Sequence, residues 1–240
     1  TTGLKINGPK DDASTYAIAQ RMRGDIAGMQ AVKIALAAGE STLNVAITAG
    51  KAISEMLLEM KAKIVQANQA GLNTDSRTAL NDDFTALRDQ IETMVATAEF
   101  NGKNLITSGG TNLSVLSTVD GSTINVTKQT LDATTLGLST TALTASANAD
   151  TALTEIDAAI NAVTTSLAAL GAAGKRIEVQ SEFTVQLVDI LKEGVGNLVD
   201  ADLAEESAAL QALQIKQQLG VQALSIANSG PQAILSLFRG

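Results

Sequence analysis

The sequence predicts a mainly α protein, an elongated antiparallel helical bundle with coiled-coil character and one small β-hairpin region. Three observations lead there. A heptad of apolar residues runs for about fifty residues in the N-terminal part. Alanine supplies 39 of the 240 residues and proline only 2, a composition suited to long helices packed side by side. Residues 101–130 contain no alanine, and 101–149 hold 11 threonines with four charges, Lys103, Asp120, Lys128 and Asp132. Such a block favours strands and turns.

The first ten residues are rich in Gly, Thr and Asn and end around Pro9. Asp11 or Asp12 then suits an N-cap, where a carboxylate meets the positive helix end. One heptad row is Met22, Met29, Leu36, Leu43, Gly50, Leu57 and Ile64; the second is Ile18, Asp25, Val32, Gly39, Ala46, Ile53 and Met60. A helix over 16–67 would be roughly 78 Å long at about 1.5 Å per residue. Its glycines thin the seam and admit another helix closely. Gln69 to Asp75 reads as a glycine stop, a short loop and a fresh cap. Leu80, Phe84, Leu87, Ile91, Met94 and Ala98 form the stripe of a second helix, antiparallel to the first because the turn is short.

That helix ends at Phe100-Asn101-Gly102. Asp120-Gly121 is a two-residue hairpin signal, placing Leu113, Val115 and Val119 on one face with Ile124 and Val126. The hairpin must pack on something, since isolated ones are marginal. A third long helix starts near Asp150, with the seam Leu153, Ile156, Ile160, Val163, Leu167 and Leu170. The seam weakens over Gly171 to Thr184, resumes at Val188, Leu191, Val195 and Leu198, and shifts by one residue to Val199, Leu203, Leu210 and Leu213. Such a shift marks a change of partner or supercoil. The last stretch carries Leu219, Val221, Leu224, Ile226, Ile234, Leu235, Leu237 and Phe238 with little polarity beyond Gln, Ser and Asn, and so expects a partner.

Composition excludes several function classes. The chain has no Cys, His or Trp, which removes thiolate zinc sites, disulfide scaffolds and the commonest general base and metal ligand. A net charge of −8 with 17 Lys and Arg argues against nucleic-acid binding, which needs clustered cations. No run of 18 apolar residues predicts membrane insertion, and no secretory signal peptide opens the chain. Thr1 in place of Met reads as the start of a trimmed or processed chain, and the lack of Cys fits an exported life.

The candidate sites are modest. Asp82-Asp83, Glu205-Glu206 and Asp200/Asp202 could be acid–base pairs only with a cleft and a raised pKa; on helices beside other charges they read as solvated faces. Gly171 to Arg176 superficially resembles a phosphate loop but lacks its spacing and preceding strand. Asp25 interrupts the first seam, either as a solvated seam end or through a contact with Arg21, Arg23 or a neighbouring subunit. Ser and Thr in 107–147 could carry O-linked sugars, although strand and turn propensity explains them as well.

Several motifs resemble bacterial flagellins of the short alphaproteobacterial type. Residues 3–12, Gly-Leu-Lys-Ile-Asn-Gly-Pro-Lys-Asp-Asp, resemble the family's N-terminal signature, which residues 16–22, Tyr-Ala-Ile-Ala-Gln-Arg-Met, continue. Phe100-Asn101-Gly102 and Leu136-Gly137-Leu138 resemble the bounds of its hairpin. Residues 197–207 and 231–239 resemble the C-terminal signature. Flagellins normally begin with a further forty or so helical residues, so the expectation is a chain lacking the N-terminal inner-core helix and unable to form a normal filament alone. Large outer domains after the hairpin are also absent.

The resemblance implies a structural, non-enzymatic filament subunit for motility, without cofactor, exported by the flagellar secretion apparatus. Its partners would be other flagellin subunits and a flagellin export chaperone, with no nucleic acid. It implies two rod-domain helices in 1–100, a hairpin and loop in 101–149, the C-terminal rod helix in 150–206 and a terminal inner-core segment in 207–240. Self-assembly candidates are Leu4, Ile6, Asp11, Asp12, Arg21 and Asp25. Terminal-core or chaperone contacts would be Leu219, Leu224, Ile226, Ile234, Leu235, Leu237 and Phe238. Glu59, Lys61 and Lys63 fall within the stretch that an animal toll-like receptor reads in enterobacterial flagellins. Glu59 replaces an Arg and Lys63 a Leu, implying a poor agonist. A hook–filament junction protein and a surface-binding or adhesin protein are the alternative readings.

Overall fold

The computed structural model describes the backbone of residues 3–237, and side chains for 3–145 and 148–227. Its elements are α1 (Ala13–Ala67), α2 (Thr74–Thr97), β1 (Glu99–Phe100), β2 (Lys103–Asn104), β3 (Leu113–Leu116), β4 (Thr123–Val126), α3 (Ser146–Val199) and α4 (Leu203–Leu237). The chain is mainly α, as predicted. It divides into two compact units, residues 25–189 and residues 1–24 with 190–240.

In the first unit the helices bury the expected seams. Val32, Leu36, Leu43, Ala46, Ile53, Leu57, Met60 and Ile64 of α1 are at most 1% exposed. Phe84 and Ile91 of α2 and Ile156, Val163 and Ile177 of α3 are fully buried with them. Each such apolar side chain is worth roughly 1.5–3 kcal/mol. Polar pairs fix the directions. Lys63 reaches Asp83 at 2.5 Å while Arg77 donates to the carbonyl of Ala67, so α1 and α2 run antiparallel. Lys61 reaches Asp157 at 2.6 Å and Asn68 reaches Asp150 at 2.8 Å, so α3 also runs against α1. Arg77 is largely buried, and its guanidinium satisfies one of the carbonyls left open at the α1 C-terminus.

Gly50 lets α3 approach, because a Cβ there would lie 2.8 Å from Leu167 Cδ2. Gly39 serves a strand instead of a helix: its Cβ would fall 2.5 Å from Val115 Cγ2. Val115 pairs with Ile124 and Leu113 with Val126 in the β3–β4 ladder, and Val115, Ile124 and Val126 are buried against the helices.

The turns correct the prediction. The two-residue hairpin loop is Asn101-Gly102, joining β1 to β2 with both residues at positive φ (49° and 74°), as a type I′ turn requires. The β3–β4 connection is longer. Ser117 donates to the Ser122 carbonyl at 2.8 Å, enclosing residues 118–121, with Gly121 at φ 89°. Val119 therefore leaves the strand face; it is 46% exposed and sits over Gly28.

Residues 127–145 form more than a connecting loop. Leu131, Leu136, Leu138 and Leu143 are buried. Glu92 of α2 accepts the Ala133 N–H at 2.7 Å, Asn81 accepts the Leu143 N–H at 2.9 Å, and the Thr141 hydroxyl donates to Glu155 of α3. The third helix starts at Ser146, four residues before Asp150. Its seam does not lapse over 171–184, since Ala173, Ile177 and Thr184 are buried and Gln180 donates to the Ser117 carbonyl at 2.9 Å. A small residue, Ala173, and the polar Gln180 and Thr184 fill much of that stretch, so the count of large apolar residues falls there. Residues 148–199 reach the mean hydropathy of a membrane span by length and composition, although no unbroken apolar run exists; their buried stripe is packed in the protein.

In the second unit the N-terminal segment closes the junction between α3 and α4. The Lys5 N–H donates to the Val199 carbonyl at 2.7 Å and the Ala201 N–H to the Gly3 carbonyl at 2.9 Å, flanking an antiparallel bridge between Leu4 and Asp200. The seam shift predicted near Val199 thus coincides with a helix break. Ile18, expected on the seam, is 51% exposed, and Ala19 is buried in its place. Residues 1–24 belong to the unit formed with 190–240, so this part of α1 buries a face suited to that unit.

Phe84→Ala should cost about 3–5 kcal/mol through the cavity it leaves, read by denaturant unfolding. Asp132 is a second test. Burial alone would raise its pKa, but hydrogen bonds from Thr135 and Ser108 outweigh it and hold the carboxyl below its ordinary value. Its stabilisation is therefore present above the ordinary carboxylate pKa and is lost as pH falls through the lowered folded value. The stability gap between the unsubstituted protein and Asp132→Asn should shrink as pH drops from about 5 to 2; a gap constant over that range refutes the role.

Candidate assembly surface

A long run of exposed large apolar side chains lies on α4. Asp202 begins that helix as a cap, accepting N–H groups of Ala204 at 2.9 Å and Glu205 at 3.3 Å. Glu205 and Glu206 sit in the first turn, where the helix dipole favours carboxylates. Every residue from 203 to 227 is exposed. Leu203, Leu210, Leu213, Ile215, Leu219, Val221, Leu224 and Ile226 show 57–73% of their surface. The side chains of Ile234, Leu235 and Leu237, and Phe238 as a whole, lie outside the described residues.

The N-terminal candidates lie in the entry segment and the first part of α1. Leu4 and Ile6 are half-buried, Leu4 in its bridge to Asp200. Asp11 accepts N–H groups from Asn7 at 2.9 Å and Gly8 at 3.1 Å, closing the entry loop. Asp12 is the α1 cap: it accepts from the N–H groups of Ser14 and Thr15 and from the Thr15 hydroxyl at 2.7 Å. Those bonds, the Thr15 hydroxyl first, hold its carboxyl below the ordinary value. Arg21 is exposed, and Asp25 is half-buried.

Glu59 is exposed on α1. Lys61 and Lys63 are engaged with Asp157 and Asp83, and all four side chains are a third or more exposed, so each pair adds little stability. The remaining carboxylate candidates form no reactive centre: Asp82, Asp200, Glu205 and Glu206 are exposed. Among the described residues no cluster of three metal-ligating side chains occurs. Gly171 to Arg176 lies inside α3. An apolar groove of about 430 Å³ lies between α1 and α2, lined by Asn44, Val45, Thr48, Ala49, Ala52, Met94, Thr97 and Ala98. Sequence reading missed it because its lining comes from two helices and is mostly small residues.

Long helices with internally satisfied seams, ending in an unpartnered apolar helix, define a helical assembly protein. Comparison with known proteins gives its kind. The profile of the bacterial flagellin N-terminal helical region matches residues 1–111, and that of the C-terminal helical region matches 153–238. Flagellin FljM of Caulobacter vibrioides is 46% identical over 239 residues, spanning 99% of this chain and 88% of that protein. A flagellin of Brucella melitensis is 38% identical over 253 residues, spanning 100% and 89%. The solved structure of a flagellar hook-associated protein from Vibrio parahaemolyticus shares the fold, with a TM-score of 0.65 at 15% identity over 79% of this chain and 100% of that one.

The chain belongs to the bacterial flagellin family. It is a structural subunit of the flagellar filament, an exported component that assembles with other flagellin subunits.

Proposed function

We propose that α4 is the terminal core segment of the filament subunit, packing on equivalent helices of neighbouring copies, and that a flagellin export chaperone covers it before assembly. The subunit travels unfolded through the flagellar secretion apparatus to reach the growing tip. The observation that carries this reading is the row of eight large apolar side chains on α4, each more than half exposed. A patch of that size on a soluble chain marks an interaction surface. Leu219, Leu224 and Ile226 make the contact with Ile234, Leu235, Leu237 and Phe238 beyond them. Leu4, Ile6, Asp11, Asp12, Arg21 and Asp25 are the further self-assembly residues. The four regions are 1–100, 101–149, 150–206 and 207–240, the last being the part that assembly covers. The role is structural, without catalysis, cofactor, nucleic acid or membrane insertion.

With the N-terminal inner-core helix of a flagellin joined ahead of Thr1, Leu219→Asp with Leu224→Asp should abolish filaments in a flagellin-deleted host, seen by negative-stain microscopy, and should lower chaperone binding in pull-down. The same pair should leave the melting of residues 25–189 unchanged, because neither side chain is buried. Normal filaments from that variant would end the proposal.

The receptor-stretch positions lead to a separate expectation. Glu59 presents a negative charge where the receptor meets Arg in enterobacterial flagellins, and Lys63 presents a cation in place of Leu. In a toll-like receptor reporter assay the protein should be at least tenfold less potent than an enterobacterial flagellin, one hot-spot loss being enough for that. Equal potency refutes it.

A further inference from the structure

The tail does not use two features of the unit formed by residues 25–189. The first is a knob on α3. Phe183 is 55% exposed and Val179, one turn earlier on the same face, is 52% exposed. Phe84, by contrast, is fully buried. Glu182 stands beside the knob, exposed, and makes no ion pair within 4 Å among the described residues. It lies in the field of Lys175, whose own ion pair at 2.9 Å is with Glu178. The second feature is the α1–α2 groove, whose floor is Val45, Ala49, Ala52, Met94 and Ala98. Lys51 stands on its lip between the lining residues Thr48 and Ala52, exposed and likewise without an ion pair within 4 Å among the described residues.

We infer that Phe183 and Val179 of one copy seat in the α1–α2 groove of the next, with Glu182 facing Lys51. The occupant is a second copy of this chain, and the inference rests on the filament reading while naming a contact apart from α4. Charge complementarity supports it: the knob carries a free carboxylate at its edge and the groove a free ammonium at its lip. The groove lining holds no charged group that binding would strand. An aromatic side chain entering an apolar groove is the commonest kind of interface anchor, and the Met94 thioether suits a ring edge. Knob and groove are different patches of one subunit, so a knob-in-groove contact between copies is heterologous. A heterologous contact that does not close into a ring propagates as an open helical polymer. The opposite charges at the rim fix its register.

The test joins residues 1–240 behind the N-terminal inner-core helix of a flagellin, expresses that protein in a flagellin-deleted host, and compares flagellin in filaments with flagellin free in the medium. Phe183→Ala should lower that ratio at least tenfold, as loss of an interface anchor does, with an unchanged melting temperature because the side chain is exposed. Glu182→Lys and Lys51→Glu should each lower it. Co-expressing those two variants should restore filaments. In an alternating polymer each E182K copy meets K51E copies on both sides, and every knob–groove contact again pairs opposite charges. Rescue by mixing separates a contact between copies from a folding defect. Normal filaments from Phe183→Ala, or no rescue by mixing, overturn the contact and leave the filament reading intact. No filaments from the unsubstituted protein would sink both.

Discussion

Within residues 25–189, the burial of α1 between α2 and α3 decides what every other element does. Ile53, Leu57, Met60 and Ile64 are fully buried, and so are Phe84 and Ile91 opposite them and Ile156, Val163 and Ile177 on α3. A helix that buries a row along its length needs antiparallel neighbours along it, which α3 supplies together with the shorter α2 beside the C-terminal part of α1. The exposed ion pairs Lys61–Asp157 and Lys63–Asp83 do not hold these helices together, being worth at most about 1 kcal/mol each. They set register on a surface that apolar burial already stabilises. The glycines belong to the same constraint. Gly39 and Gly50 interrupt the heptad where β3 and α3 come nearest, and any side chain there would push the layers apart.

The strap of residues 127–145 shows the same economy with a different chemistry. It has no regular structure to satisfy its backbone, so α2 lends side chains: Glu92 and Asn81 accept its N–H groups, and Arg88 donates to the Ser139 carbonyl at 3.3 Å. Buried peptide groups must find partners. Once they have them, Leu131, Leu136, Leu138 and Leu143 can close over the helices without stranding polar atoms, and no buried side-chain polar atom among the described residues lacks a partner.

What was legible in the sequence followed periodicity. The stripe Leu80, Phe84, Leu87, Ile91, Met94 and Ala98 and the run from Ile156 to Leu170 are buried or half-buried as their spacing requires, because three- and four-residue steps name a helix face directly. Failures came where another rule competed. Asn101-Gly102 and Asp120-Gly121 are both hairpin dipeptides, and only the first is a two-residue loop; pairing of Ser117 with Ser122 sets the second. The strap leucines follow no period, so nothing local marked them as core. Of the assembly surface, the apolar tail was legible from composition. The groove between α1 and α2 was not, because it exists only once two helices are side by side.

The contrast between α3 and α4 carries the last step. Both are rich in Ala and Leu, yet one has a fully buried stripe and the other exposes every described side chain. Propensity and capping alone give a helix in water only marginal stability, since nucleation is costly and most helix stability in proteins comes from packing one face. The Asp202 cap and the first-turn glutamates add about 1 kcal/mol or so in total, against the roughly 1.5–3 kcal/mol that each buried leucine would add. Packing on other copies, as proposed for α4, would set the stability of that helix and link its folding by mass action to assembly. Residues 25–189 need no such partner, because their apolar rows already face one another.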